Sequence, residues 1–199
     1  MRRWHYIVGG GLLGLVAAWG AWRGLAHLGA KAIAARLAAN ARIPREVRRW
    51  ADVVAPAAIG FAPDDVGAER WAYTILGLFD RESDGDPAAH GDSGSAHGLG
   101  QVHDRWWPEF AALSEEEKHD PATNAWWTAR ILRGEWDHWT RQGYTGGALA
   151  LALASYNAGR KNVRAALAAG LPSDTFTTGA NYGDDVLARA AGYGMLDVA

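Results

Sequence analysis

Glu82 is the residue of this chain whose neighbours best suit it to acid–base chemistry. It lies in the run 80–83 (DRES), at the end of an apolar helical stripe and just before a glycine-rich turn. Leu78 and Phe79 precede it by four and three residues, so a helix that continues puts all three side chains on one face. A carboxylic acid held against apolar surface stays protonated near neutral pH and can donate a proton to a leaving oxygen. If the helix instead ends before residue 82, the side chain points to water, and the spacing leaves both interpretations open.

The composition predicts a helical protein. The chain has 199 residues, enough for one domain with a real core and a short additional segment. Alanine, leucine and glycine dominate and β-branched residues are sparse, which favours an all-α fold, or an α fold with a small β-hairpin. The absence of cysteine excludes disulfides and thiolate metal sites. Eleven tryptophans are many for this length, and exposed ones would offer flat surfaces on which sugar rings stack.

The charge is distributed unevenly along the chain. Residues 1–50 contain nine Lys/Arg and one acidic residue, whereas residues 51–199 contain eleven Lys/Arg and twenty-one Asp/Glu. A basic part next to an acidic part indicates two different environments, and the basic part suits an anionic membrane surface. No nucleic-acid-binding motif accompanies the basic residues, so we predict no nucleic acid partner.

An uncharged stretch over residues 6–22 predicts contact with a membrane. Its seventeen residues are the lower limit for a spanning helix, and five glycines and three alanines make it weakly apolar. It fits a transmembrane anchor, a cleaved signal peptide, or a marginal anchor that can leave the bilayer. We favour an uncleaved signal-anchor over residues 1–23. Basic residues flank it on both sides, so the positive-inside rule does not settle its orientation.

The rest of the chain is predicted as a basic helical linker over residues 24–49 and a globular domain over residues 50–199. The linker reads as a spacer helix that ends before Pro44. Its thin apolar face comprises Leu25, Leu28, Ala32, Ala35 and Ala39. Between residues 82 and 98 the sequence predicts a loop or a short hairpin. Helices are predicted at residues 45–59, 65–82, 104–113, 121–134, 145–157, 160–169 and 181–191.

Four short motifs follow Glu82-Ser83 in a recognisable order. They are GLGQ at 98–101, DPATN at 120–124, YNAG at 156–159 and NY at 181–182. With Glu82-Ser83 they resemble the catalytic domain of soluble lytic transglycosylases and goose-type lysozymes, over about residues 50–195. Each motif alone is weak, but their order and spacing together are a strong signal.

The resemblance implies a lysozyme-like fold that cleaves the β-1,4 bond between N-acetylmuramic acid and N-acetylglucosamine, without a cofactor. Glu82 matches the family's single essential acid and base, and Ser83 matches the serine that supports it. Gln101 matches the glutamine of the family's Gly-Leu-Met-Gln, although Gly100 here replaces the usual methionine. Gln101 could bind the substrate or fix the loop.

The later motifs imply the remaining binding residues. Tyr156 and Asn157 match the pair that lines the family's cleft, where they could hydrogen-bond an acetamido group, and Tyr182 matches a late tyrosine. Purely structural roles compete with these. Residues 156–159 could be only a helix end stopped by glycine, while Asp120 followed by proline is a good N-cap. Asn124 is open to a role in internal packing.

A second carboxylate decides between two reactions. In lytic transglycosylases one carboxyl acts as acid and then base, the substrate's own acetamido group attacks, and a 1,6-anhydro sugar forms. Goose-type lysozymes add carboxylates that position a water. Asp92, in GDSG at 91–94, resembles one of these, but the position of the next goose-type aspartate holds His103. Asp92 could orient water, or it could cap the glycine-rich turn.

Two further expectations concern metals and aromatic residues. No metal site is predicted, since the seven histidines show no regular ligand spacing and His90, His97 and His103 are irregularly placed near Asp92. One tryptophan of each pair, 106–107 and 126–127, is expected to face the cleft, with the other in the core.

Taken as a whole, the sequence predicts a monomeric lytic transglycosylase, membrane-anchored with its catalytic domain in the periplasm or cell-wall compartment, or else secreted. Its predicted partners are peptidoglycan strands and, through residues 6–22, the membrane. A goose-type hydrolytic lysozyme and a phage endolysin with a releasable signal-anchor are alternatives. A wall-binding module without catalysis is the alternative from a different class.

Overall fold

The computed structural model describes residues 27–197, and in this range the chain is mostly helical with one small antiparallel sheet. The predicted class, a helical fold with a small hairpin, is therefore confirmed, except that the sheet has three strands. The helices are α1 (27–39), α2 (Arg45–Arg48), α3 (Ala51–Phe61), α4 (Ala68–Ser83), α5 (Pro108–Ala111), α6 (Glu115–His119), α7 (Pro121–Arg141), α8 (Ala148–Ala158), α9 (Arg160–Ala168) and α10 (Tyr182–Tyr193). The strands, in sheet order, are β1 (His90–Gly91), β2 (Ala96–His97) and β3 (Val102–His103).

Most predicted helices are present, with changed ends. The one predicted at 45–59 is split into α2 and α3, and the one predicted at 104–113 shrinks to α5, which begins at Pro108. Helix α7 continues past the predicted end at residue 134, although that residue is a glycine. Glycine inside a helix costs about 1 kcal/mol. Burial of Trp139 farther along α7 offsets that cost and keeps the helix going.

Helix α1 packs on the domain with a different face from the one predicted. Leu28 is 65% exposed, and the alanines of the predicted apolar face are exposed as well. The buried face instead consists of Ala30, Ile33, Ala34 and Leu37. These side chains belong to the same hydrophobic core as α3, α4 and α10, so the core starts about twenty residues before the predicted domain boundary at residue 50. The predicted face is wrong because alanines and glycines give a weak helical phase.

Helix α4 runs through the centre of the core, and every residue from 71 to 79 in it is buried. Gly77 lies where α4 crosses α10, because a Cβ there would come within 2.9 Å of the Val186 carbonyl oxygen. The two backbones can therefore approach closely. This contact fixes the end of α4 relative to the start of α10, and the two ends carry Glu82 and Tyr182.

Helix α7 begins as predicted. The Asp120 side chain accepts a hydrogen bond from the Thr123 amide at 2.8 Å, and Pro121 occupies the first helical position. An acceptor at the N-cap and a proline at the first position satisfy or remove two of the free amides of a helix start. The first turn of α7 is thereby fixed next to the loop at 98–101.

No helix within residues 27–197 is long and apolar enough to cross a membrane. The predicted anchor at residues 6–22 lies outside the described range, as do the other residues up to 26. The anchor stays a prediction from the sequence.

Candidate functional site

Glu82 lies in the last turn of α4, so the helix does continue far enough to present it with the apolar face. The helix ends only at Asp84, whose φ of 51° is left-handed and stops the α conformation. The side chain of Glu82 is part-buried, and the Tyr182 hydroxyl donates a short hydrogen bond to its Oε1. The spacing left open whether the helix continues past residue 82 or ends before it, and the structure shows that it continues.

Burial changes the acidity of Glu82. Desolvation of the carboxyl is the largest effect and raises its pKa from 4.5 to about 7. The hydrogen bond from Tyr182 and the charge of Arg81 lower the pKa, while Asp92 raises it, but none of these outweighs burial. At neutral pH the group therefore exists in both protonated and ionised forms, which suits proton transfer in either direction.

Tyr182 stands behind Glu82, at the first position of α10, and is almost fully buried. Burial, followed by the charge of Glu82, raises the pKa of Tyr182 well above its ordinary value, so the hydroxyl keeps its proton. The phenol is thus a permanent donor to the carboxyl. Tyr182, predicted as a site residue, therefore lies next to Glu82 and hydrogen-bonds its carboxyl.

Arg81 was not predicted as a site residue, although it lies in the run that contains Glu82. Its Nε is 3.1 Å from Asp185 Oδ2 on α10, and its guanidinium lies over the Tyr182 ring at 5.8 Å. Its charge acts on Glu82 while the ion pair holds it in place. A basic residue beside a candidate acid is the sequence signal that identifies it.

The opposite side of the site is the loop at 98–101, which four side chains hold in place. Gln101 has a left-handed φ of 48°, and its Nε2 donates to the carbonyls of Ala89 at 3.1 Å and Gly98 at 2.9 Å. Of its two predicted roles, fixing the loop is the one these contacts support. Ser83 connects α4 to the same loop, since its hydroxyl donates to the Leu99 carbonyl at 2.8 Å.

Asn124 is the third of these side chains, and it is fully buried as the packing interpretation expected. Its Oδ1 accepts from the Gly100 amide at 2.8 Å, and its Nδ2 donates to the carbonyls of His97 at 2.8 Å and Lys118 at 3.1 Å. All the polar capacity of the amide but one lone pair is used. Asn124 therefore holds the loop, β2 and α6 together by hydrogen bonds.

Tyr156 and Asn157, at the end of α8, support the floor of the site. The Tyr156 hydroxyl donates to the Gly100 carbonyl at 2.7 Å, and burial raises its pKa above the ordinary tyrosine value. Asn157 Oδ1 accepts from the Thr178 amide at 2.8 Å. A Cβ at Gly100 would lie 2.1 Å from Thr128 Oγ1, so the space that a larger residue needs at position 100 is already filled. This accounts for glycine where the family has methionine.

A cavity of about 410 Å³ opens beside Glu82, and we call it the cleft. Its lining residues come from α4, the sheet, the loop after β3, the end of α8 and the segment before α10: Glu82, Gly91, Asp92, Ala96, Gln101, His103, Arg105, Trp106, Tyr156, Asn157 and Thr178. A second cavity of about 530 Å³ adjoins it and shares Trp106, Tyr156 and Asn157. The two together form an extended groove that suits a linear polymer.

Only one of the two predicted tryptophan platforms lies in the cleft. Trp106 is 66% exposed and lines it, with the Arg105 guanidinium over its ring at 5.6 Å. Trp126 is exposed too, but it lines a separate cavity beside α3, so that part of the prediction is wrong. The remaining members of the pairs, Trp107 and Trp127, pack on each other next to Phe110.

Asp92 lines the cleft from the opposite side to Glu82, at the turn between β1 and β2. Its φ is 45°, its side chain is 75% exposed, and its Oδ2 lies 3.4 Å from His103 Nε2. The structure thus brings Asp92 and His103 together; the Asp92 side chain stays open to solvent, whereas that of His103 is only 19% exposed. Every residue predicted for the site lies in or directly behind the cleft wall, with Ser83 and Tyr182 behind it.

The histidines are grouped differently from the sequence expectation. His90, His97 and His119 each offer one ring nitrogen, and these nitrogens lie within 4.8 Å of one another. His119, far along the chain, takes the place that the sequence suggested for His103. The sequence pattern did not indicate this group, because strand pairing and α6 bring together residues that are distant in sequence.

Comparison with known protein families shows a match over the middle of the chain. The family description "Transglycosylase SLT domain" fits residues 67–171, which is more than half of the chain and includes Glu82, the loop at 98–101 and the end of α8. No curated protein sequence matches the chain.

Proposed function

The chain belongs to the transglycosylase SLT domain family, whose enzymes act on peptidoglycan, and we propose that Glu82 is its acid and base. The observation that supports this role most is the carboxyl with a pKa of about 7 beside an open groove. General acid–base catalysis is most efficient when the pKa of the catalytic group is close to the working pH.

The reaction starts with protonation of the glycosidic oxygen between N-acetylmuramic acid and N-acetylglucosamine. Protonated Glu82 donates this proton as the bond from the anomeric carbon to the oxygen breaks. The acetamido oxygen of the same muramic acid attacks the anomeric carbon and carries the developing positive charge. One leaving sugar, now with a free hydroxyl, departs, and Glu82 is left as a carboxylate.

The second step uses the same carboxylate as a base. Glu82 removes the proton of the muramic acid's 6-hydroxyl, and that oxygen attacks the anomeric carbon. The bond to the acetamido oxygen breaks, the 1,6-anhydro sugar forms, and Glu82 is protonated again. Tyr182 and Arg81 stabilise the carboxylate between the two steps, since both interact more strongly with the charged form.

The residues that line the cleft suggest how the enzyme holds the sugar. The Trp106 face and the Arg105 guanidinium suit a sugar ring, because exposed aromatic rings stack on the apolar faces of sugars. Asn157 and Tyr156 are at the centre of the extended groove, next to Glu82. We assign them to orienting the acetamido group, with Asn157 Nδ2 as the donor.

We propose transglycosylation over hydrolysis. Hydrolysis with inversion needs a second carboxylate about 6.5–9.5 Å from the acid, a separation that leaves room for the attacking water. Asp92 is the only other carboxyl that lines the cleft within residues 27–197, and it is largely exposed and close to His103. An exposed carboxyl orders a water poorly, whereas the acetamido group is part of the substrate.

A domain that acts on the cell wall works in the periplasm or wall compartment. We further propose that residues 6–22 anchor it there. Fractionation of cells that express the full chain tests this: we expect the protein in the membrane pellet, with release by detergent and not by high salt. Recovery in the soluble fraction would contradict the anchor.

The test of the proposed reaction is digestion of purified sacculi, followed by mass spectrometry of the released muropeptides. Wild type should release fragments with 1,6-anhydro ends, Asp92→Asn should release the same fragments, and Glu82→Gln should stay folded and release them at least about 100-fold more slowly. Reducing ends that disappear in Asp92→Asn would indicate the hydrolytic alternative. Binding to sacculi without any product from wild type would favour a non-catalytic module.

A further inference from the structure

Three histidine side chains meet on the far side of the small sheet from the Glu82 chemistry. His90 and His97 are cross-strand partners in β1 and β2, and His119 ends α6. The ring centroids are 4.3 to 5.5 Å apart, and one nitrogen of each ring lies within 4.8 Å of the others. His97 is only 2% exposed, while His119 is part-buried and His90 is exposed.

The neighbours of two of these rings fix which nitrogen carries the proton. His97 Nε2 lies 3.3 Å from Asp104 Oδ2, and His119 Nδ1 lies 2.8 Å from the Glu115 carbonyl oxygen. Both oxygens are acceptors, so these nitrogens must donate. In the neutral rings, His97 Nδ1 and His119 Nε2 are then left with a free lone pair.

Those two nitrogens are buried, and neither has a hydrogen-bond partner among residues 27–197. The nearest polar atom to His97 Nδ1 that forms a charged contact is Glu115 Oε2, at 3.5 Å, and it too is an acceptor. An unsatisfied buried acceptor costs about 1–3 kcal/mol. A cation between these acceptors would satisfy all of them at once, which packing of the rings against each other does not.

The outer contacts are those of a metal ligand. A histidine that binds a metal almost always donates its other N–H to a carboxylate or a backbone carbonyl, which fixes the tautomer and the ring orientation. His97 makes the first kind of contact and His119 the second.

We propose that His90, His97 and His119 bind a divalent transition metal ion, with zinc as the best fit. Three histidine ligands and a fourth oxygen ligand, from water or from Glu115, make a tetrahedral site that zinc prefers. Zinc–nitrogen bonds of about 2.1 Å place the nitrogens about 3.4 Å apart, so the rings need to move by about 1 Å from their present separation.

A metal ion at this site would cross-link structural elements beside the cleft. It would join β1 and β2 to α6, in addition to the hydrogen bonds from Asn124. The strand β2 also carries Ala96, which lines the cleft. The ion would therefore stabilise the sheet side of the cleft without touching Glu82.

The test is calorimetric titration of zinc chloride into the full-length protein, purified in detergent without a histidine tag and stripped of metal by a chelator. We expect one ion per chain and a rise in melting temperature on binding. Cobalt(II) in its place should give the intense visible absorption of a tetrahedral site. No binding, or an octahedral cobalt spectrum, would overturn the proposal.

Variants identify the ligands. His90→Ala and His119→Ala, at positions that are not fully buried, should each weaken zinc binding by more than about 100-fold, and Asp104→Asn by about 10–100-fold. His138→Ala, on the exposed face of α7 next to Arg164, is the matched control and should bind as wild type does.

Wild-type affinity in both His90→Ala and His119→Ala would contradict the site. If one variant fails to fold, the other and the cobalt spectrum decide. Glu82→Gln should bind zinc normally, so this outcome is independent of the catalytic proposal.

Discussion

The two sides of the cleft hold their carboxyl groups in opposite ways. On the helical side, Glu82 ends a buried stretch of α4 and touches Tyr182 on α10, both fixed by a helix crossing in the core. On the sheet side, Asp92 sits at a turn of left-handed backbone, with its side chain 75% exposed and near His103. The sequence offers both residues as candidate catalytic carboxylates, Glu82 as the acid and Asp92 to position a water, and their surroundings separate them.

The difference shows what a helix end in a core does for acid–base chemistry. A turn of short strands cannot exclude water from a side chain, whereas the end of a buried helix can desolvate one carboxyl and still leave it open to a groove. The pKa of about 7 for Glu82 follows from that placement. We expect a change on the helical side to affect the reaction far more than a change on the sheet side.

The largest expected effect separates the two carboxyls directly. Glu82→Gln should lower the rate of sacculus digestion by about 10²–10⁴-fold, the usual contribution of a general acid–base group. Asp92→Asn should lower it by less than about tenfold. Initial rates of muropeptide release, with folding checked by circular dichroism, measure both. Equal losses in the two variants would remove the distinction between the two sides.

Stability should respond in the opposite direction to activity. The pKa of Glu82 is raised on folding, so ionisation of its carboxyl lowers the stability of the fold above pH 4.5. This cost grows up to about pH 7 and then levels off. Glu82→Gln has no charge to bury. Its unfolding free energy relative to wild type should increase between pH 4.5 and 8, by up to about 3 kcal/mol.

Urea unfolding at the two pH values measures this change. Asp92→Asn serves as the exposed counterpart, and its stability relative to wild type should show no comparable rise over the same range. If the difference in unfolding free energy between Glu82→Gln and wild type did not change with pH, the Glu82 carboxyl would not be desolvated in the folded protein.

The helix crossing that supports the buried side can be tested with matched glycines. Gly77→Ala should destabilise by about 1–3 kcal/mol, because the new Cβ meets the Val186 carbonyl oxygen at 2.9 Å. Gly134→Ala, inside α7 with open space around it, should stabilise by up to about 1 kcal/mol. Thermal melts of both variants measure the difference. A stabilised Gly77→Ala would contradict the close approach of α4 and α10.

The smallest expected effect concerns the hydrogen bond from Tyr182. That bond lowers the pKa of Glu82, so Tyr182→Phe should move the alkaline limb of the kcat/KM profile upward from about pH 7, by roughly one unit or less. Tyr144→Phe, at a tyrosine outside the cleft lining, should leave the limb unchanged. A downward shift in Tyr182→Phe would mean that the phenol does not stabilise the carboxylate.

Local patterns predicted much of this molecule. The apolar stripe before Glu82 gave α4, and Asp120 followed by proline gave the start of α7. The ordered motifs predicted residues that meet at the cleft, because the end of α4, the loop between β2 and β3 and the end of α8 converge there.

The features that the sequence did not predict depend on contacts between residues that are far apart in the chain. The buried face of α1 is chosen by the core it packs on, and alanine-rich sequence does not mark that face. His119 joins His90 and His97 only because Asn124 and α6 close over the sheet. Trp126 and Trp106 look alike in sequence, but α7 turns Trp126 toward α3.

The most direct test is titration of the Glu82 carboxyl by NMR, in protein labelled with ¹³C at the glutamate carboxyls. The signal is assigned as the one missing from Glu82→Gln. Our account predicts a midpoint near pH 7, set by burial at the end of α4. A midpoint near 4.5, the ordinary value for glutamate, would contradict it.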